Sequence, residues 1–196
     1  LSLPELSGRE ILPQVSIPFD HSVTPSNTRD LQIQKYYARQ GSFLEQTLES
    51  MILKLEAGYA TEPGLDVLCY SSGMAAIFSV LHGIALLQTV DECQKKRFVV
   101  DSKVYPETKV LFTELPPLYG FQQTHFVDVS DSNALWDTFH YNIVAGLFYE
   151  SISSDITYND TRKISEVAKA FKVPVIVDNT LLTPILQQPF RLGADM

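Results

Sequence analysis

Val173-Pro174-Val175-Ile176-Val177-Asp178-Asn179-Thr180 is an apolar run that ends in a carboxylate and two small polar side chains. Its β-branched residues and its length predict a strand buried on both faces, and Asp178 falls at the carboxyl end. Far earlier, Ser71-Ser72-Gly73-Met74-Ala75-Ala76-Ile77 repeats the arrangement: an apolar stretch gives way to small polar residues, and a helical pattern follows. Together the two stretches offer a carboxylate and a helix N-terminus to one ligand.

Between them, strand and helix patterns alternate. Strands are predicted at Asp66–Tyr70, Arg97–Asp101, Thr124–Val129, Ile143–Glu150 and Val173–Asp178, and helices at Met74–Gln88, Thr108–Leu115, Ala134–His140 and Thr161–Phe171. This alternation indicates an α/β fold with a mostly parallel sheet flanked by helices. Ligands of such sheets bind beyond the carboxyl ends of the strands, where Ser71–Gly73, Tyr105, Glu150 and Asp178 all fall. Before the sheet, Phe43, Leu44, Leu48, Met51, Ile52 and Leu55 recur at helical spacing, with Gly58 as a stop signal. Residues 1–42 carry Pro4, Pro13, Pro18 and Pro25 with little periodicity and read as an N-terminal arm. The rest, 43–196, reads as one large domain.

Composition narrows the function classes. The chain has 196 residues, 45% of them hydrophobic, enough to bury a full core, and its formal net charge is −8. An acidic surface repels nucleic acid and anionic membranes, so neither is expected as the main partner. No apolar run reaches the length of a membrane span, and the first residues do not form a signal peptide. Cys69 and Cys93 match no metal spacing, and the expected setting is reducing and cytoplasmic. Asn159-Asp160-Thr161 matches a glycosylation acceptor but precedes a helical pattern, where Asn and Asp serve as caps. His21, His82, His125 and His140 are scattered and show neither ligand nor triad spacing.

The candidate site residues admit more than one reading. The amides of Gly73 and Met74 suit an anion such as a phosphate, while Ser72 and Gly73 also fit a plain helix start. Asp178 suits a metal, a cap for the following turn, or a protonated heterocyclic nitrogen. No Gly-x-Gly-x-x-Gly and no Walker lysine support a dinucleotide or a nucleoside triphosphate.

The order of several short motifs resembles a known family. Tyr37-Ala38-Arg39, Ser71 to Ile77, Val104-Tyr105, Phe126-Val127-Asp128-Val129, Glu150-Ser151, Val177 to Pro184 and Leu192-Gly193-Ala194-Asp195 stand as in the Cys/Met-metabolism family of pyridoxal-phosphate enzymes. That family includes cystathionine γ-synthase, cystathionine β- and γ-lyases and methionine γ-lyase. The resemblance covers Tyr37 to Met196 and implies the large domain of a fold-type-I pyridoxal 5'-phosphate enzyme, with a mostly parallel, seven-stranded sheet. It implies elimination or replacement at the β or γ carbon of a sulfur amino acid. Gly73 and Met74 match the amides on the cofactor phosphate, Asp178 the partner of the pyridine nitrogen, and Tyr105 the tyrosine stacked on the ring, which is also catalytic. Tyr37 and Arg39 match a pair that reaches the phosphate of a neighbouring subunit, which implies a homodimer or homotetramer.

The chain also departs from the family pattern. Gln40-Gly41-Ser42-Phe43 follows Arg39 where Asn-Pro-Thr is usual, and Pro106-Glu107-Thr108 follows Tyr105 where Gly-Gly-Thr is usual. Ser154-Asp155 replaces Asn-Pro, so the asparagine's hydrogen bond to the cofactor's phenolic oxygen is lost or passes to Ser154. The Ser-x-Thr-Lys strand with its Schiff-base lysine, and the C-terminal domain, are expected beyond Met196. This chain alone is therefore expected to be inactive. The competing expectation is a non-catalytic diverged homologue, or a half-enzyme completed by another chain.

Overall fold

The computed structural model describes residues 43–57 and 65–196. The first helix, α1 (Phe43–Ala57), contains the division between two compact units, Leu1–Met51 and Ile52–Met196. Its predicted apolar stripe is present, and Leu44, Leu48, Met51 and Leu55 are each about half exposed. The sheet and all later elements belong to the second unit.

Local chemistry sets most helix starts. Ser72 caps α2 (Gly73–Leu86), its hydroxyl accepting the Ala75 N–H at 3.1 Å. Thr89 and Glu92 form a reciprocal capping box around the short α3 (Val90–Cys93), a helix that the apolar periodicity had not indicated. Pro106 opens α4 (Pro106–Leu118), Asp131 caps α5 (Ser132–Tyr141), and Asp160 caps α6 (Thr161–Ala170). In α4 the helix runs through Pro116 and Pro117, past its predicted end at Leu115. Pro116 has no N–H for the Phe112 carbonyl, and the Thr124 hydroxyl donates to that carbonyl instead, at 2.5 Å.

Four parallel strands form the sheet among the described residues: β1 (Lys96–Asp101), β2 (His125–Val127), β3 (Ile143–Glu150) and β4 (Val175–Asp178). Their order is β2-β1-β3-β4. The connections that leave β1 and β3 thus run in opposite directions, and the crevice above β1 and β3 is the topological switch point where α/β sheets bind ligands. Alternate side chains feed two layers. Phe98, Val100, Phe148 and Ile176 pack with Leu81 and Ile84 of α2 and Phe112 of α4. Val99, Leu147, Tyr149 and Val175 pack with Leu135 and Phe139 of α5 and Ile164 and Ala168 of α6. Burial of both sheet faces explains the near-continuous apolar strands.

The structure corrects one predicted element. Asp66–Tyr70 does not join the sheet; it runs as irregular backbone into α2, with Leu68 and Tyr70 exposed. A short apolar run permits a strand but does not supply a neighbour, and ladder partners decide whether one forms. Beyond β4, the chain turns back through α7 (Thr183–Leu186) and a 3-10 turn (Pro189–Leu192). Gly193, at φ +103, then lets residues 194–196 return to β4, where Val177 N–H donates to the Met196 carbonyl at 2.9 Å.

Candidate functional site

The carboxyl ends of β1, β3 and β4 and the N-terminus of α2 surround a cavity of about 400 Å3. Gly73, Met74, Tyr105, Ser154 and Asp178, all singled out in the sequence, line it together. Tyr37 and Arg39 lie outside the described residues.

The α2 end of the cavity is suited to an anion. Ser72 satisfies the Ala75 N–H, and the first N–H groups of any helix, here those of Gly73 and Met74, have no intrahelical acceptor. A Cβ added at Gly73 would meet nothing within 4 Å, so the approach to these amides is open. The capping reading of Ser72 is realised, and it leaves the two amides free for a ligand.

At the other end, Asp178 closes β4. Its Oδ1 accepts the N–H and the hydroxyl of Thr180, so the turn-capping reading also holds for one carboxylate oxygen. Ser151 and Asn179 fix the segment: the Ser151 hydroxyl donates to Asn179 Oδ1 at 2.6 Å, and the Asn179 amide donates to the Gln187 carbonyl at 2.9 Å. The metal reading finds no support, since no group of three potential ligand side chains is present among the described residues.

Tyr105 stands between them, half exposed. Pro106 restricts it to extended backbone, φ −49 and ψ 137, and starts α4 immediately after it. A hydrogen bond to Glu107, and that carboxylate's charge, hold the Tyr105 phenol above its usual range. Its backbone N–H donates to Glu150 Oε1 at 2.7 Å. Burial pushes Glu150 up, the Tyr105 N–H pulls it back, and the fields of Asp178 and Asp101 push it up further.

The loop after β3 brings Ser154 to the cavity. Ser154 donates to the Lys103 carbonyl twice, from its N–H at 3.0 Å and its hydroxyl at 2.7 Å. The Lys103 ammonium reaches Asp128 at 3.0 Å and Asp155 at 3.7 Å, tying the loop to the end of β2. Ile156, in the same loop, holds φ +66, a strained value for a β-branched residue. Beneath it, Asp101 is fully buried and accepts from the Ser153 hydroxyl at 2.8 Å and the Asn159 amide at 3.2 Å. Asn159 is therefore an internal hydrogen-bonding residue, 1% exposed, and Asp160 alone acts as the cap. Sequence reasoning missed this network, because its members come from three separate segments. It also missed Thr108, a buried cavity residue whose hydroxyl lies 3.8 Å from the Met74 sulfur.

The profile of the family described as Cys/Met metabolism PLP-dependent enzymes matches residues 14–196. The chain belongs to that family. A cystathionine γ-synthase/O-acetylhomoserine (thiol)-lyase of Bacillus subtilis is 34% identical over 161 residues, which is 82% of this chain and 39% of the relative. A solved cystathionine γ-lyase of Micromonospora echinospora is 26% identical, with a TM-score of 0.69, over 83% of this chain and 39% of its own. A Campylobacter jejuni protein assigned as an O-acetylhomoserine (thiol)-lyase has a TM-score of 0.65 at 26% identity, over 92% of this chain and 42% of its own. That structure carries N'-pyridoxyl-lysine-5'-monophosphate. The chain spans under half the length of the curated relatives it matches. Family membership makes the parallel sheet that of a fold-type-I enzyme, and pyridoxal phosphate the family's cofactor. No described helix is long and apolar enough to cross a membrane.

Proposed function

We propose that the protein works as a pyridoxal-phosphate-dependent lyase or transferase of sulfur amino-acid metabolism, cleaving or replacing a bond at the β or γ carbon of its substrate. The observation that carries this reading is the placement of an open helix N-terminus and a strand-end carboxylate on the walls of one cavity. The residues present fit the cofactor: Gly73 and Met74 offer unshared amides to its phosphate, and Asp178 offers a carboxylate to its ring nitrogen. Tyr105 offers an aromatic face, and Ser154 borders the same space.

When bound, the cofactor supplies an electron sink for cleavage next to the substrate's α-carbon. The chain's own residues set the conditions for it. Asp178 holds a proton on the ring nitrogen through a charge-assisted hydrogen bond. Ile77 and Ile152 give the cavity apolar walls that disfavour water. Tyr105, kept protonated by Glu107, serves as a proton donor at neutral pH rather than as a base. Tyr37 and Arg39 reach the phosphate of a neighbouring subunit in a homodimer or homotetramer, and the protein acts in the cytoplasm.

The second reading is a diverged homologue that binds without catalysing or a half-enzyme, and it is favoured by Pro106-Glu107 after Tyr105 and by Ser154, whose hydroxyl is already given to the Lys103 carbonyl. Incubating the full-length protein with pyridoxal phosphate and cystathionine while following thiol and keto-acid release separates the two. Turnover supports the enzyme, and saturable cofactor binding without turnover supports the second reading. Absence of both overturns the cofactor assignment.

A further inference from the structure

Glu150 is a buried carboxyl group in this cavity to which the proposed chemistry gives no role. It closes β3, is 8% exposed, and its Oε1 accepts the Tyr105 N–H. Its register partner on β4 is Asp178, and β1 on its other side ends in the buried Asp101. Three carboxylates thus terminate three adjacent strands. No ion pair joins them to a lysine or arginine among the described residues, and the nearby Lys103 is held by Asp128 and Asp155.

Three neighbouring anions in a partly apolar site are costly, and the proton goes to the one with the fewest donors. Asp101 receives the Ser153 hydroxyl, the Asn159 amide and the Lys103 N–H. Asp178 receives both donors of Thr180. Glu150 receives one backbone N–H among the described residues, the fewest donors of the three. Around it, the hydroxyl protons are engaged: Ser153 donates to Asp101, Ser154 to the Lys103 carbonyl, and Thr180 to Asp178. The charged and titratable groups facing Glu150 are therefore Asp101 from β1, Asp178 from β4, and Tyr105 from the start of α4.

We propose that Glu150 stands in the site as a neutral carboxyl group and donates its O–H to an oxygen on the ring of the bound cofactor. That wall then presents one anion, Asp178, and one donor. The donor role rests on the pyridoxal-phosphate reading, whereas the neutral state of Glu150 does not.

Infrared spectroscopy of the ligand-free chain in heavy water at neutral pH tests the charge directly. A protonated-carboxyl band present in the wild type and absent in Glu150→Gln supports the proposal, and identical spectra in that region overturn it. Titration with pyridoxine 5'-phosphate, which has no aldehyde to react with surface lysines, tests the donor role. Glu150→Gln keeps a donor and is expected to bind more tightly than Glu150→Ala, which loses about 10-fold in affinity. The wild type should lose affinity more steeply with rising pH than Glu150→Gln. Equal affinities in the two variants, or parallel pH profiles for wild type and Glu150→Gln, overturn the donor role. A wild-type chain that binds no pyridoxine 5'-phosphate overturns the cofactor reading together with the donor role, while the infrared band still decides the charge of Glu150.

Discussion

Glu150 and Asp178 are register partners across β3 and β4, so two carboxylates end side by side at the carboxyl edge of the sheet. Burial and the fields of Asp178 and Asp101 raise Glu150 above its ordinary value of 4.5. The folded chain therefore holds more protons than the unfolded chain from that value upward, and stability falls as pH climbs through the window. Below the ordinary value the contribution is fully present. Glu150→Gln should thus gain stability relative to the wild type as pH rises above 4.5 in urea denaturation. Stability curves that stay parallel over this range would contradict it.

Asn159 has one side-chain amide facing three acceptors: Asp101 Oδ2, the Glu150 carbonyl and Ser153 Oγ. An NH2 group has two protons, so it shares them within a dry network. Asn159→Ala is expected to cost about 2–3 kcal/mol, because Asp101 remains buried with a lost donor. A loss well under 1 kcal/mol in chemical denaturation would show that water replaces the amide without penalty.

Ser72→Ala removes the α2 cap. A loss of about 1 kcal/mol is expected by the same measurement, with the helix retained because its packing against β1 and β3 does not involve the cap. An unchanged midpoint would mean that water or a neighbouring group satisfies the Ala75 N–H equally well.

Tyr105 should titrate at lower pH once Glu107 loses its charge. NMR of ring-labelled tyrosine in Glu107→Gln is expected to show the phenol moving back toward its ordinary value, since the two largest causes of its upward shift come from Glu107. An unmoved titration would place the phenol elsewhere, away from that carboxylate.

Much of this was legible in the sequence because the determining signals are local. The Val173–Asp178 and Ile143–Glu150 runs announce buried parallel strands, and Ser72 and Asp160 sit where caps must. The carboxyl-end rule accounts for Asp178 at the end of β4, whereas Gly73 reaches the same space as the start of α2 and not from the end of a sheet strand. What escaped depends on partners far along the chain. Asp66–Tyr70 has a strand pattern without a ladder, and the Asp101–Ser153–Asn159 network joins segments whose proximity only the fold creates. The helix Val90–Cys93 was missed although Thr89-x-x-Glu92 carries a capping-box signature, since four residues are too few to show a period.

The central claim is that Asp178 and the α2 amides hold one cofactor between them. Calorimetric titration of the chain with pyridoxine 5'-phosphate, for wild type and Asp178→Asn, tests it most directly. The account predicts saturable binding that Asp178→Asn weakens by about 10- to 100-fold, corresponding to the roughly 1.5–3 kcal/mol of one charge-assisted hydrogen bond. Binding of equal strength in the two proteins would contradict it.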